Sequence, residues 1–217
     1  VLVPNGWLAG AATALGVLLS GWLAGIAAAA SDAADRRWFR ARPRGGRSAL
    51  AAGAVAGPFC LLAALAAGWS SALPAWICLA LVLTPLVLID LRLHRLPNRL
   101  VISGYGLAAG LLGAAALAGE AGAFGRAALA GAATFTVFAV AGLTGGIGFG
   151  DVKLAGLLGA YLGWIGWTQL VVGIFTGFAI GAAGAVLLLV SRRAGWRTEV
   201  AFGPSLMLGA LLVAAFG

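Results

Sequence analysis

Eight apolar runs, each close to the length of a membrane-spanning helix, constrain this chain more than any other feature. They lie at about residues 7–30, 49–67, 75–91, 100–118, 127–143, 152–167, 168–190 and 200–216, set against the roughly 20 residues needed to cross a hydrocarbon core. Hydrophobic residues make up 62% of the chain and charged residues only 9%, with a mean hydropathy of +1.05. Soluble domains carry about a quarter charged residues. A backbone in lipid must satisfy its own hydrogen bonds, so the runs predict an all-α fold: a polytopic membrane helical bundle of about eight transmembrane helices. The break between the sixth and seventh rests on "YLGWIGWTQ", whose Tyr161, Trp164 and Trp167 suit a membrane interface.

The net charge of +8 does not indicate a nucleic-acid partner, because the basic residues sit in short loops between apolar runs. Threaded with the N-terminus outside, one side receives Arg36, Arg37, Arg40, Arg42, Arg44, Arg47, Arg92, Arg95, Arg99, Lys153, Arg192, Arg193 and Arg197. The other side receives Arg126 alone. Thirteen against one places the first side in the cytoplasm, and fusing the sixth and seventh runs would scramble the count. The first run is expected to be an uncleaved helix, since it has no basic segment before it of the kind a signal peptide carries. Cys60 and Cys78 fall in apolar runs and form no CxxC pair, so neither a zinc site nor a disulfide framework is implied.

Of six acids, four have ordinary explanations. Asp32 and Asp35 lie in the arginine-rich first loop, Glu120 in a short outer loop with Arg126, and Glu199 just before the last helix, where an acid favours the N-terminus. Asp90 and Asp151 differ. "LVLTPLVLID" is apolar up to its last residue, and the chain turns apolar directly after "GFGD". Both mark helix ends at the cytoplasmic face. Interfacial ion pairs, Asp90 with Arg92 or Arg95 and Asp151 with Lys153, would account for each acid singly. Taken together on one face of a small bundle, they read as a carboxyl dyad.

Two carboxyls held close do not both ionise readily. The ionised one can take a proton from water while the protonated one polarises a peptide carbonyl, and that is aspartic protease chemistry. It needs no metal and no cofactor, and the single histidine, His94, has no cluster around it and reads as a polar anchor. The glycines of "GGIGFGD", Gly145, Gly146, Gly148 and Gly150, disfavour a continuous helix and permit positive φ or close approach. An unwound segment there could let an extended substrate lie beside Asp151. A proton-coupled transporter would also use buried carboxylates, but midplane sites and repeat symmetry are not visible in the sequence.

Three motifs in order, "LIDLRLHRLPN", "GIGFGDVKL" and "FGPSLMLGA", resemble those of the type IV prepilin peptidases, GxGD intramembrane aspartic proteases. The resemblance spans about residues 75–217. It implies a six-helix catalytic core there, preceded by two extra transmembrane helices and a short basic cytoplasmic loop in residues 1–74. It implies Asp90 and Asp151 as the catalytic pair. The matching accessory positions are Pro97 and Asn98 after the first aspartate, Gly148, Gly150 and Lys153 around the second, and Phe202, Gly203 and Pro204 near the last helix. Pro97 also ends any continuation of the helix after Asp90, Pro204 suits a first helical turn, and Lys153 could tune an aspartate or bind lipid phosphate.

The implied substrate is a membrane-inserted prepilin or pseudopilin, cleaved after the glycine that ends its basic leader, at the cytoplasmic face of a bacterial inner membrane. Anionic lipids, or Asp32 and Asp35, are expected to receive that leader on an otherwise basic face. Many relatives bind zinc through two CxxC pairs in the first cytoplasmic loop and N-methylate the mature pilin. Here that loop is "SDAADRRWFRARPRGGRS", with no cysteine, so neither zinc nor S-adenosylmethionine is expected as a cofactor. A non-catalytic pilus assembly factor would leave the three motifs without a reason. Nothing in the sequence sets an oligomeric state.

Overall fold

The computed structural model describes residues 6–31, 41–143, 148–191 and 202–217. Among them are α1 (Gly6–Leu18), α2 (Ser20–Ser31), α3 (Arg47–Ala67), α4 (Leu73–Leu93), α5 (Asn98–Ala115), α6 (Ala121–Leu143), α7 (Phe149–Ile165), α8 (Trp167–Val190) and α9 (Gly203–Phe216). The eight expected runs fall on α1 with α2, then on α3 to α9; by length and apolar composition four spans, or five with the bent α1–α2 pair, could cross a membrane among the described residues. The first run is not one straight helix, however: α1 and α2 meet at an angle of 49°. Asp32, Asp35, Arg36, Arg37, Arg40, Gly145, Gly146, Arg192, Arg193, Arg197 and Glu199 lie outside the described residues.

The outer loop expected around residues 119–126 is helical instead. A π-turn, Ala116–Glu120, joins α5 to α6, and the chain reverses at Gly119, whose φ of 121° only glycine adopts readily. Arg126 therefore sits on α6, where its guanidinium donates to the carbonyls of Gly163 (2.7 Å), Trp164 (2.6 Å) and Ile165 (3.1 Å). These are carbonyls that the end of α7 leaves without helical partners. Glu120 accepts a hydrogen bond from Ser71 just before α4 (2.6 Å).

These contacts fix directions. Arg126 brings the start of α6 to the end of α7, so the two run antiparallel. The Tyr161 hydroxyl donates to the carbonyl of Ala75 (3.0 Å) and its ring meets Trp76 edge-on, which places the end of α7 beside the start of α4. Tyr161 and Trp164 are thus buried (2% and 6% exposed), not interfacial as the sequence indicated. A phenol inside an apolar bundle needs a polar partner, and Ala75 supplies it. Trp167 is exposed. The chain breaks where expected, at Gly166 between α7 and α8.

Helix α7 is the hub, packed on α5, α6, α8 and α9. The glycine row of α8 faces inward. A Cβ at Gly173 would stand 2.7 Å from Leu162 on α7, one at Gly177 2.8 Å from the Cα of Leu206, and one at Gly181 2.8 Å from the Ser205 hydroxyl. In lipid, helices gain little by hiding apolar surface from one another, so close packing of small residues carries much of their association. The row packs within the bundle, principally against α9. Of the long apolar spans α4 is the most enclosed, 67% of its window being buried, and α8 the least, at 17%. The acids therefore sit on inner helices, while α8 shows most of its surface to lipid.

Candidate active site

With α4 and α7 antiparallel, the C-terminal end of one and the N-terminal start of the other share a face of the bundle. Asp90 stands on the last turn of α4, Asp151 in the first turn of α7. The start of α9 comes to the same end, since that helix runs antiparallel to α8, with Phe202 near Gly181 and Leu206 near Gly177. Arg42, Arg44, Arg47, Arg92, Arg95, Arg99 and Lys153 gather at this end, and Arg126 stands at the other. The charge asymmetry counted in the sequence is thus kept among the described residues.

Asp90 is 5% exposed, and its Oδ2 has no hydrogen-bond partner among the described residues. It is bordered by the first turn of α9. A Cβ on Gly203 would stand 2.7 Å from Oδ2, 3.4 Å from Cγ and 3.6 Å from the side chain of Leu154 on α7. Glycine here is a requirement of close approach, because any larger residue would push α9 away from α4 and α7. Leaving a buried carboxyl oxygen unsatisfied is costly, and a donor brought by a ligand would relieve that cost.

The helix bearing Asp90 ends differently from the sequence expectation. His94, not Pro97, stops it, in the left-handed conformation (φ 49°), with its N–H donated to the carbonyl of Asp90 (2.8 Å). The His94 side chain itself is exposed. Pro97 instead forms the N-cap of α5, where its lack of an N–H is harmless. Pro204 lies in the first turn of α9, as expected.

Around Asp151 the glycines serve proximity. Gly148 is the N-cap of α7 with extended backbone (φ −69°, ψ 143°), and the helix has already begun at Phe149, so the unwound stretch does not reach Asp151. Positive φ is not used at Gly148 or Gly150. A Cβ at Gly148 would lie 3.6 Å from Asp151 Oδ2, and one at Gly150 only 2.9 Å from the Cβ of Leu96. Gly150 thereby lets the first turn of α7 press on the α4–α5 connection. Asp151 therefore opens α7 at the end of the bundle where α4 closes with Asp90.

Lys153 makes an ion pair with neither aspartate. Its ammonium donates to Asn98 Oδ1 (2.8 Å), so two accessory residues of separate motifs are partners. The ion pairs that would have explained the acids singly do not form among the described residues. The sequence reading missed Tyr105, whose hydroxyl on α5 donates to the backbone carbonyl of Lys153 (2.8 Å), and Leu96 against Gly150. The signal for Tyr105 was present: one of two tyrosines in the chain, flanked by Gly104 and Gly106 in an apolar helix, it needs a polar partner.

The described residues thus form an all-helical membrane bundle whose inner helices bring two acids to one end. The model of the type IV leader peptidase family matches residues 76–189, which run from the start of α4 almost to the end of α8 and include both acids. The chain belongs to the type IV leader peptidase family. Comparison with curated proteins and with solved structures finds no match.

Proposed function

We propose that this chain is an aspartic endopeptidase that removes the leader of type IV prepilins or pseudopilins, with Asp90 and Asp151 as its catalytic pair. The supporting observation is that two acids from separate inner helices stand at one end of the bundle, Asp90 buried with an unpartnered Oδ2 and neither acid in an ion pair among the described residues. One carboxylate takes a proton from water as the water oxygen attacks the scissile carbonyl carbon. The other, protonated, hydrogen-bonds the carbonyl oxygen and stabilises the tetrahedral intermediate. Collapse of that intermediate breaks the C–N bond, and a proton passes to the leaving amine.

Gly203 and Gly148 border the two carboxyls with backbone alone, and the residue before the cut in the proposed substrate is glycine. By the charge asymmetry the acid-bearing end faces the cytoplasm of a bacterial inner membrane, with Asp90 and Asp151 reached from that side. Anionic lipids at this face offset its positive charge toward a basic leader. Lacking the cysteine-bearing loop, the protein cleaves without methylating. The test is incubation of purified protein with a synthetic prepilin leader peptide, read by mass spectrometry. Hydrolysis after the glycine is expected, with no mass gain of one methyl when S-adenosylmethionine is supplied. An intact peptide would defeat the proposal, and a methylated product would defeat its second part.

A further inference from the structure

An apolar groove of about 400 Å³ runs between α6 and α8, bordered by Thr134, Val137 and Phe138 on one side and Val171, Ile174 and Phe178 on the other. Its rims are open, Val137 and Val171 each being 65% exposed. A chain of ring contacts links one end of it to the helix end beside Asp90. Phe138 meets Phe178 with ring centroids 5.8 Å apart, and Phe178 meets Phe202 at 4.8 Å. Phe202 immediately precedes Gly203, the residue pressed against Asp90. A second apolar groove, along α8 from Val171 to Ala183, is lined by that helix alone, and a third lies between the α1–α2 bend and α3. Neither is lined by Phe138, Phe178 or Phe202.

We propose that the α6–α8 groove is the docking surface for the apolar transmembrane helix of the substrate, with the Phe138–Phe178–Phe202 ladder guiding its first turns to the carboxyl pair. This rests on the peptidase reading above and adds where the uncleaved part of the substrate lies. The direction agrees. A substrate whose scissile bond is at the acids must send its helix away from that end, and along α8 the groove runs that way from Phe178 to Leu170, about 12 Å at the rise of a helix. Two long helices with small residues between them, Ala133 and Thr134 on α6, accept a third helix by close packing. A disordered lipid chain would gain nothing from a path that ends at a carboxyl.

The test compares two substrates of one reconstituted enzyme: a prepilin-like chain with leader, glycine and apolar helix, and a short soluble peptide spanning the same glycine without the helix. Val137→Trp and Val171→Trp fill the groove from its open rims. Each is expected to raise KM for the helix-bearing substrate about tenfold at unchanged kcat, leaving the short peptide untouched. Equal kinetics on the helix-bearing substrate would overturn the proposal. Failure of the unaltered enzyme on both substrates would instead overturn the peptidase reading beneath it. As a second measurement, a photo-cross-linking residue at position 137 in Asp151→Asn enzyme should capture the first turns of the substrate helix. Adducts with lipid alone would overturn the docking site.

Discussion

The Lys153 ammonium donates to Asn98 Oδ1 over 2.8 Å, tying the first turn of the helix that carries Asp151 to the segment that follows the helix carrying Asp90. A charge-assisted bond of this kind is stronger than a neutral one, and Tyr105 reinforces it from α5 by binding the carbonyl of the same lysine. Lys153→Met should therefore misplace Asp151 and lower kcat about tenfold or more, by the sensitivity of reacting groups to misplacement. Asn98→Asp, which keeps the acceptor, should retain far more activity than Asn98→Leu. Steady-state kinetics on a leader peptide decides it: equal rates for the two Asn98 variants would show that the bond does no positioning.

Asp90→Asn and Asp151→Asn are nearly isosteric and should leave insertion and melting unchanged while reducing cleavage to background. Glu120→Gln, at the opposite end of the bundle and bonded to Ser71, should keep substantial turnover, as should Asp32→Asn, Asp35→Asn and Glu199→Gln. A folded Asp151→Asn protein that cleaves at the wild-type rate would refute the aspartic mechanism.

Gly203→Ala and Gly184→Ala make a matched pair. A Cβ at Gly203 would press on the Asp90 carboxyl at 2.7 Å, whereas one at Gly184 meets nothing within 4 Å. The first should lower activity sharply, and the second should be silent or slightly stabilising, since alanine favours a helix over glycine by about 1 kcal/mol. Cleavage rates and thermal melts of the two variants in detergent separate the cases.

Gly177→Leu should destabilise the fold. Its side chain would drive into the backbone of α9 at Leu206, and overpacking of this kind costs about 1–3 kcal/mol. A melting temperature equal to that of the unaltered protein would mean that α8 and α9 do not meet here.

Topology offers an independent check. In a background without Cys60 and Cys78, single cysteines at Ser48 and Glu120 should react with an impermeant reagent from opposite sides of the membrane. Ser48 opens α3 at the acid-bearing end and Glu120 lies at the other. Labelling from the same side would contradict the orientation drawn from the charges.

Helix positions were legible because apolar length is a local property, and each of the eight runs became helical. The bend between α1 and α2 and the helical reversal at Gly119 were not, since both depend on how the chain packs after it inserts. Asp90 and Asp151 could be singled out because acids at the ends of apolar runs are rare. Their accessory residues were found with uncertain roles. Lys153, two residues after Asp151, looked like its ion-pair partner, yet a side chain on a helix chooses partners in space, and its ammonium donates to Asn98 on α5. Tyr161 and Trp164 were misread because an aromatic at the end of a run serves equally well facing lipid or filling a bundle, and only the position of α4 decides between them.

The wedge that α9 drives between α4 and α7 also orders events during biosynthesis. The ribosome delivers Asp90 first, Asp151 well after it, and Gly203 later still, so a nascent chain already holding both acids in the membrane still lacks the backbone that borders Asp90. With Asp90 and Asp151 as the pair proposed above, the site would be complete only once α9 inserts. Such a delay would shield neighbouring nascent membrane proteins from a half-built protease.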